Sequence, residues 1–138
     1  MSDVKISVTD SGERSRASSG SPWEPKVGYS RAVRVGDTIA VTGTVGIEAD
    51  GSFAKSAGAQ TRRALAIIRA ALEALGGRVE DVIRTRMYVT DISAWQEVGA
   101  AHAEVFGDIR PATTMVQVSR LIDDDALVEI EADAIVLG

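Results

Sequence analysis

Apolar residues recur at helical spacing in two stretches of the chain. In the first, Leu65, Ile68, Leu72 and Leu75 recur at alternating three- and four-residue steps, the spacing of one helix face, with Ala64 and Ala71 beside them. Arg62, Arg63, Arg69 and Glu73 take the other face, so the pattern predicts an amphipathic helix from Ala57 to Leu75. Gly76-Gly77 ends it, because glycine tolerates a left-handed C-terminal cap. The second stripe is Val98, His102, Val105 and Phe106, and it predicts a helix ending near Phe106, bracketed by Gly107 and Pro111. Its start is expected at Ser93-Ala-Trp-Gln96, read as a capping box in which the Ser93 hydroxyl caps a free N–H and Gln96 reaches back.

Elsewhere the pattern is that of strands. KISVTD, ending at Asp10, alternates well enough for a short strand. Ala32–Val35 and Thr38–Thr42 are β-rich runs joined by Gly36-Asp37, a plausible two-residue hairpin turn. Further strands are expected over Ile83–Thr90, Thr113–Ser119 and Leu127–Leu137. DSGERSRASSGSP, residues 10 to 22, is polar and turn-rich and reads as a flexible loop. Gly43, Gly46, Asp50 and Gly51 also mark loop, without the spacing of a phosphate loop.

The expected order is (β)ββαβαββ: a single α+β domain over residues 1–138, with two helices on one face of a mixed sheet. The strands carry apolar residues at adjacent positions, as at Met115-Val116 and Leu127-Val128. A half-apolar open face would be buried against other subunits, so an oligomer is expected.

Composition narrows the chemistry. Cysteine is absent, which excludes disulfides, thiolate nucleophiles and Cys-based zinc sites. Fifteen basic against twenty acidic residues give a net charge of −5, which opposes broad nucleic-acid binding. No apolar run approaches the roughly 20 residues of a membrane span, and MSDVKISVTD does not read as a signal peptide, so a cytoplasmic protein is expected. His102 is the one histidine and lacks companion ligands, so no metal site and no cofactor are expected.

Three groups remain as candidates. Glu129 and Glu131 lie two apart on one strand face, with Asp133 continuing the stripe. They are either a solvated face or a general acid/base at a subunit interface. Tyr29, after Gly28, is either a packing residue or a pocket rim. Arg110, Thr113, Thr114 and Arg120 surround DIRPATTMVQVSRL, a strand that is either the end of a sheet or the wall of a pocket.

Three segments resemble the Rid, or YjgF, family: GYSRAVRVGDTIAVTGTVG (Gly28 to Gly46), RTRMYVTDISAW (Arg84 to Trp95) and RPATTMVQVSRLIDDDALVEIEADAIV (Arg110 to Val136). The last is the most specific, with a PA dipeptide, a strand ending in RL, a spacer and VEIEA. The resemblance implies a chorismate-mutase-like fold, a homotrimer with small-molecule clefts between subunits, and hydrolysis of reactive imines or enamines to ammonia and a keto acid. It assigns Glu129 to water activation, and Tyr29 and Gly43 to the pocket lining. In the best-known members an arginine follows the PA dipeptide and clamps the substrate carboxylate; here that residue is Thr113. Threonine supplies one neutral donor in place of a bidentate charged pair. The substrate then either lacks that carboxylate or meets another cation, Arg110 or Arg31. Imine hydrolysis is the leading expectation, a non-catalytic metabolite-binding protein the alternative, and endoribonuclease activity a third that the acidic charge opposes.

Overall fold

The computed structural model describes residues 3–138. Seven strands form one sheet: β1 (Ser7–Asp10), β2 (Arg14–Ser18), β3 (Ala32–Val35), β4 (Thr38–Val45), β5 (Val82–Val89), β6 (Ala112–Gln117) and β7 (Val128–Ile135). Their order across the sheet is β1-β2-β3-β4-β7-β5-β6. Only the β5–β6 pair at one edge is parallel. A parallel pair needs a long crossover, and α3 (Trp95–Phe106) supplies it. The long helix α2 (Ala57–Ala74) packs on β4 and β7, and α3 packs beside α2. The mixed sheet and the two helices on one face agree with the expected class.

The core lies between sheet and helices. Leu65, Ile68 and Leu72 of α2 and Val98 and Phe106 of α3 meet Ile39, Val41, Met87, Val89, Val128 and Ile130. Ser56 caps α2 by accepting from Ala59 N, and Gly76 adopts φ +82° just past its end. The Gly36-Asp37 turn pairs Val35 with Thr38. The start of α3 differs from expectation. Asp91, not Ser93, caps this segment: it accepts from the Ser93 amide and hydroxyl in a single 3-10 turn before α3, and Ala94 at the α3 N-cap makes no side-chain bond.

Three expectations are corrected. Residues 14–18, placed in a flexible segment, form β2 between β1 and β3. Its RSRAS sequence buries only Ala17, so its side chains carry no apolar alternation and its pairing is backbone-driven. Directly after that segment Trp23 opens a short helix, α1 (Trp23–Val27), closed by Gly28 at φ +89°. Gly43, expected in a loop, lies inside β4, where Thr42 and Gly43 together stand opposite Glu131 because the register slips between Val41 and Thr44. The open sheet face is also less apolar than expected. Val128, Ile130 and Ala132 point to the helices, leaving Glu129, Glu131 and Asp133 on the open side with Arg86 and Tyr88. Val35, Val116 and Ile135 are exposed apolar side chains on it.

Candidate functional site

The open face carries a band of paired charge. Tyr88 donates to Glu131 Oε1 at 2.7 Å, and Arg86 reaches Asp133 at 3.2 Å and Glu131 at 3.5 Å. The Tyr88 hydroxyl is held above its ordinary value, first by that bond to Glu131. Glu131 and Asp133 are therefore committed to neighbours. Glu129 differs: among the described residues its carboxylate has no hydrogen bond or ion pair within 4 Å. Burial raises its pKa, the positive charge of Arg31 opposes that, and the negative charge of Glu131 adds to it. A carboxyl so poised suits proton transfer.

Gly43 makes room for it. A β-carbon at Gly43 would lie 2.8 Å from Glu129 Oε2. The bulge in β4 brings this backbone against the Glu129 side chain, which stands opposite Val45 in the ladder.

Arg31 organises the rest. It is buried, and its Nη1 donates to Gly43 O at 2.9 Å and to Thr44 Oγ1 at 3.1 Å. Nη2 donates to the Tyr29 hydroxyl at 3.3 Å, and the guanidinium lies 5.5 Å from the Tyr29 ring centre. Nε has no hydrogen bond but faces Glu24 Oε2 at 3.8 Å. Glu24, from α1, is itself buried and accepts from Ser18 Oγ, Ser19 N and Ser19 Oγ. Burial pushes the Glu24 pKa up, but the Ser19 and Ser18 hydrogen bonds and the Arg31 charge outweigh it, and the net direction is down. Tyr29, Gly43 and Glu129 thus converge on one place through Arg31.

The other candidates lie elsewhere in the chain. Thr113 pairs with Thr85 in the ladder and points to the helix side, where the two hydroxyls are 2.6 Å apart. Thr85 Oγ1 is in turn 2.9 Å from His102 Nε2. Thr114 pairs with Arg86 and takes the open face. Arg110 is exposed at the α3–β6 connection with φ +56°, its N–H bonded to Phe106 O. It takes the left-handed position at which glycine usually closes a helix. Arg120 pairs with Asp124 on the surface. Within one chain, Glu129 and Thr113 therefore face opposite sides of the sheet.

Sequence reasoning missed Glu24, and it treated His102 as isolated. Both owe their place to tertiary contacts, and only the serine pair before the carboxylate hinted at the first. Two clefts of about 420 and 470 Å³ open on the described surface, one lined by Arg62, Arg63 and Arg69 of α2, the other by Glu13, Arg34 and Gly36. Neither touches Glu129 or Thr113. No helix among the described residues is long and apolar enough to cross a membrane.

This sequence and fold have relatives. Residues 20–136 match the family described as Endoribonuclease L-PSP. The chain belongs to this family, known also as the Rid or YjgF family. A crystal structure of a Mycobacterium tuberculosis member of the YjgF/YER057c/UK114 family is similar at 53% identity and a TM-score of 0.83, covering 89% of this chain and 99% of that one. The structure of RidA from an Antarctic Psychrobacter is similar at 29% identity and a TM-score of 0.74, covering 78% of this chain and 88% of that one. The 2-iminobutanoate/2-iminopropanoate deaminase of Salmonella typhimurium is 31% identical over 111 residues, 78% of this chain and 86% of that protein.

Proposed function

We propose that the chain is a hydrolytic deaminase of small imines or enamines, working as a homotrimer with ligand clefts between subunits. One observation carries the reaction: the half-buried Glu129 carboxyl, free of a hydrogen-bonded partner among the described residues and held toward its protonated form by burial, beside Gly43 and the Arg31–Tyr29 pair. Similarity to the Salmonella deaminase supports the reaction class.

In this reading Glu129 takes a proton from water as its oxygen bonds to the C=N carbon. The nitrogen gains a proton, the C–N bond breaks, and ammonia leaves with a carbonyl compound behind. Because Thr113 and Glu129 face opposite sides of their own sheet, they share a ligand only across a subunit boundary. Thr113 and Thr114 of one subunit would then orient the ligand that Tyr29, Gly43 and Glu129 of another receive. Thr113 stands where the best-known members carry an arginine. Arg31 supplies the positive charge beside Glu129, and Arg110, three residues before Thr113, lies near the cleft rim.

The test is ammonia release from freshly generated 2-iminobutyrate and 2-aminoacrylate, with wild type beside Glu129→Gln. Glu129-dependent acceleration of about 10²-fold or more is expected. An unchanged rate in the variant would sink the mechanism.

Thr113 itself favours a second reading, in which the cleft binds a metabolite without turning it over. A thermal shift with no product would mark that outcome. The family description also names endoribonuclease activity. A net charge of −5 gives RNA little to bind, and Glu129-independent cleavage is expected of any RNA loss observed.

A further inference from the structure

The helix side of the sheet edge carries an unbroken line of three polar groups, of which the proposed chemistry uses only the last, Thr113. His102 on α3 is 9% exposed, and Thr85 beneath it on β5 is 0% exposed. His102 Nε2 lies 2.9 Å from Thr85 Oγ1, which lies 2.6 Å from Thr113 Oγ1. Thr113 is on the edge strand and exposed. The line therefore runs from a buried imidazole, through a buried hydroxyl, to a hydroxyl that meets the surroundings.

Such a line has a direction. Each hydroxyl has one hydrogen to give, so the state of Nε2 fixes both. If Nε2 carries hydrogen, it donates to Thr85, Thr85 donates to Thr113, and the Thr113 hydrogen is free to point outward. If Nε2 is bare, every bond reverses and Thr113 offers only lone pairs. His102 Nδ1 makes no protein hydrogen bond among the described residues, and the ring is packed 4.6 Å from that of Phe106. Nδ1 is not among the buried atoms without a partner, so water can serve it in either tautomer. Hydrogen on Nε2 directs the line outward, and hydrogen on Nδ1 directs it inward.

We propose that His102 and Thr85 are positioning residues that fix the Thr113 hydroxyl as an outward donor, making Thr113 selective for an oxygen acceptor on the ligand, a carboxylate or carbonyl. The geometry of three fixed groups does this, and cooperative polarisation along the chain strengthens the terminal donor. The ligand half of this inference rests on the reading of Thr113 as cleft wall; the relay half does not.

His102 is the single histidine, so its ring nitrogens are read without overlap by long-range ¹H–¹⁵N NMR of the full chain. An Nε2–H tautomer is expected in wild type. Thr113→Val, which does not touch His102, should alter the Nε2 signal, and so should Thr85→Val, while Thr85→Ser restores it. A His102 signal indifferent to Thr113→Val, or an Nδ1–H tautomer in wild type, overturns the proposal.

The ligand arm uses 2-oxobutyrate, the keto acid that 2-iminobutyrate yields. Its binding should move the His102 signals in wild type, and Thr85→Val should weaken it about tenfold, with Thr85→Ser near wild type. Binding that perturbs Tyr29 but leaves His102 unmoved overturns the proposal and spares the imine chemistry. A relay that responds to Thr113→Val in a protein that binds no keto acid does the reverse: it supports the relay and removes the imine reading.

Discussion

The Glu129 carboxylate rests on Gly43: a β-carbon at position 43 would fall 2.8 Å from Oε2 and 2.9 Å from Cδ. The contact explains a glycine in mid-strand, since its φ lies outside the left-handed region and its backbone alone would admit alanine. Gly43→Ala must push the carboxylate away or shift the bulge. We expect imine hydrolysis to fall about 10²-fold, because displacing a catalytic group by an ångström has that scale of effect. Steady-state rates checked beside a thermal melt will separate this from unfolding. Wild-type turnover in a folded Gly43→Ala protein would show that the position of Glu129 does not matter.

Much of the fold was legible because burial leaves a periodic trace. Leu65, Ile68 and Leu72 mark α2, and Val128, Ile130 and Ala132 alternate with Glu129 and Glu131 along β7. β2 left none, since Arg14, Ser15 and Arg16 hold their place through main-chain bonds to both neighbours. The site was half legible. Glu129 and Tyr29 stood as open candidates in the pattern, Gly43 and the roles of all three came from resemblance, and the structure brings the three residues near one another. Arg31 appeared only as one of two distant cations, because nothing local says that Thr44 and Gly43, twelve or more residues on, will accept its hydrogens. The same holds for Thr85, an unmarked strand residue until His102 is folded over it.

Glu24 is the counter-ion that lets Arg31 stay buried. Removing one partner of a buried pair leaves the other charged and uncompensated, so Glu24→Gln is expected to cost about 3 kcal/mol in urea unfolding. The pH dependence follows from its lowered pKa. The unfolded chain binds this proton more readily than the folded one. Its contribution is therefore complete above the ordinary carboxylate value and is lost as pH falls through the lower folded value. Wild type should lose stability over that acid range more steeply than Glu24→Gln. Parallel profiles would remove Glu24 from this role.

Opposite placement of Glu129 and Thr113 makes the proposed cleft depend on assembly. Light scattering should therefore give three times the chain mass at micromolar concentration. A monomer whose mass does not change with concentration would dissolve the cleft and leave Glu129 as a lone carboxyl on an open sheet. Introducing a charge with Val116→Glu, at a position exposed on that open face and in the same row as Glu129 and Tyr88, should shift the protein toward smaller species and lower turnover together.

Glu129 should also cost the protein stability. Burial raises its pKa above the ordinary 4.5, Arg31 only partly offsets that, and Glu131 reinforces it. The folded chain holds the proton more tightly than the unfolded chain. Its contribution is fully present below the unfolded value and is lost as pH rises through the raised folded value. Glu129→Gln cannot titrate and escapes that loss. The variant should therefore match wild type near pH 4 and exceed it at pH 7 by urea unfolding, while losing its activity. That combination is the mark of a group kept for chemistry against the interest of the fold. A variant less stable than wild type at neutral pH would instead make Glu129 a structural residue, and would return the search for the proton carrier to the Glu131 and Tyr88 pair.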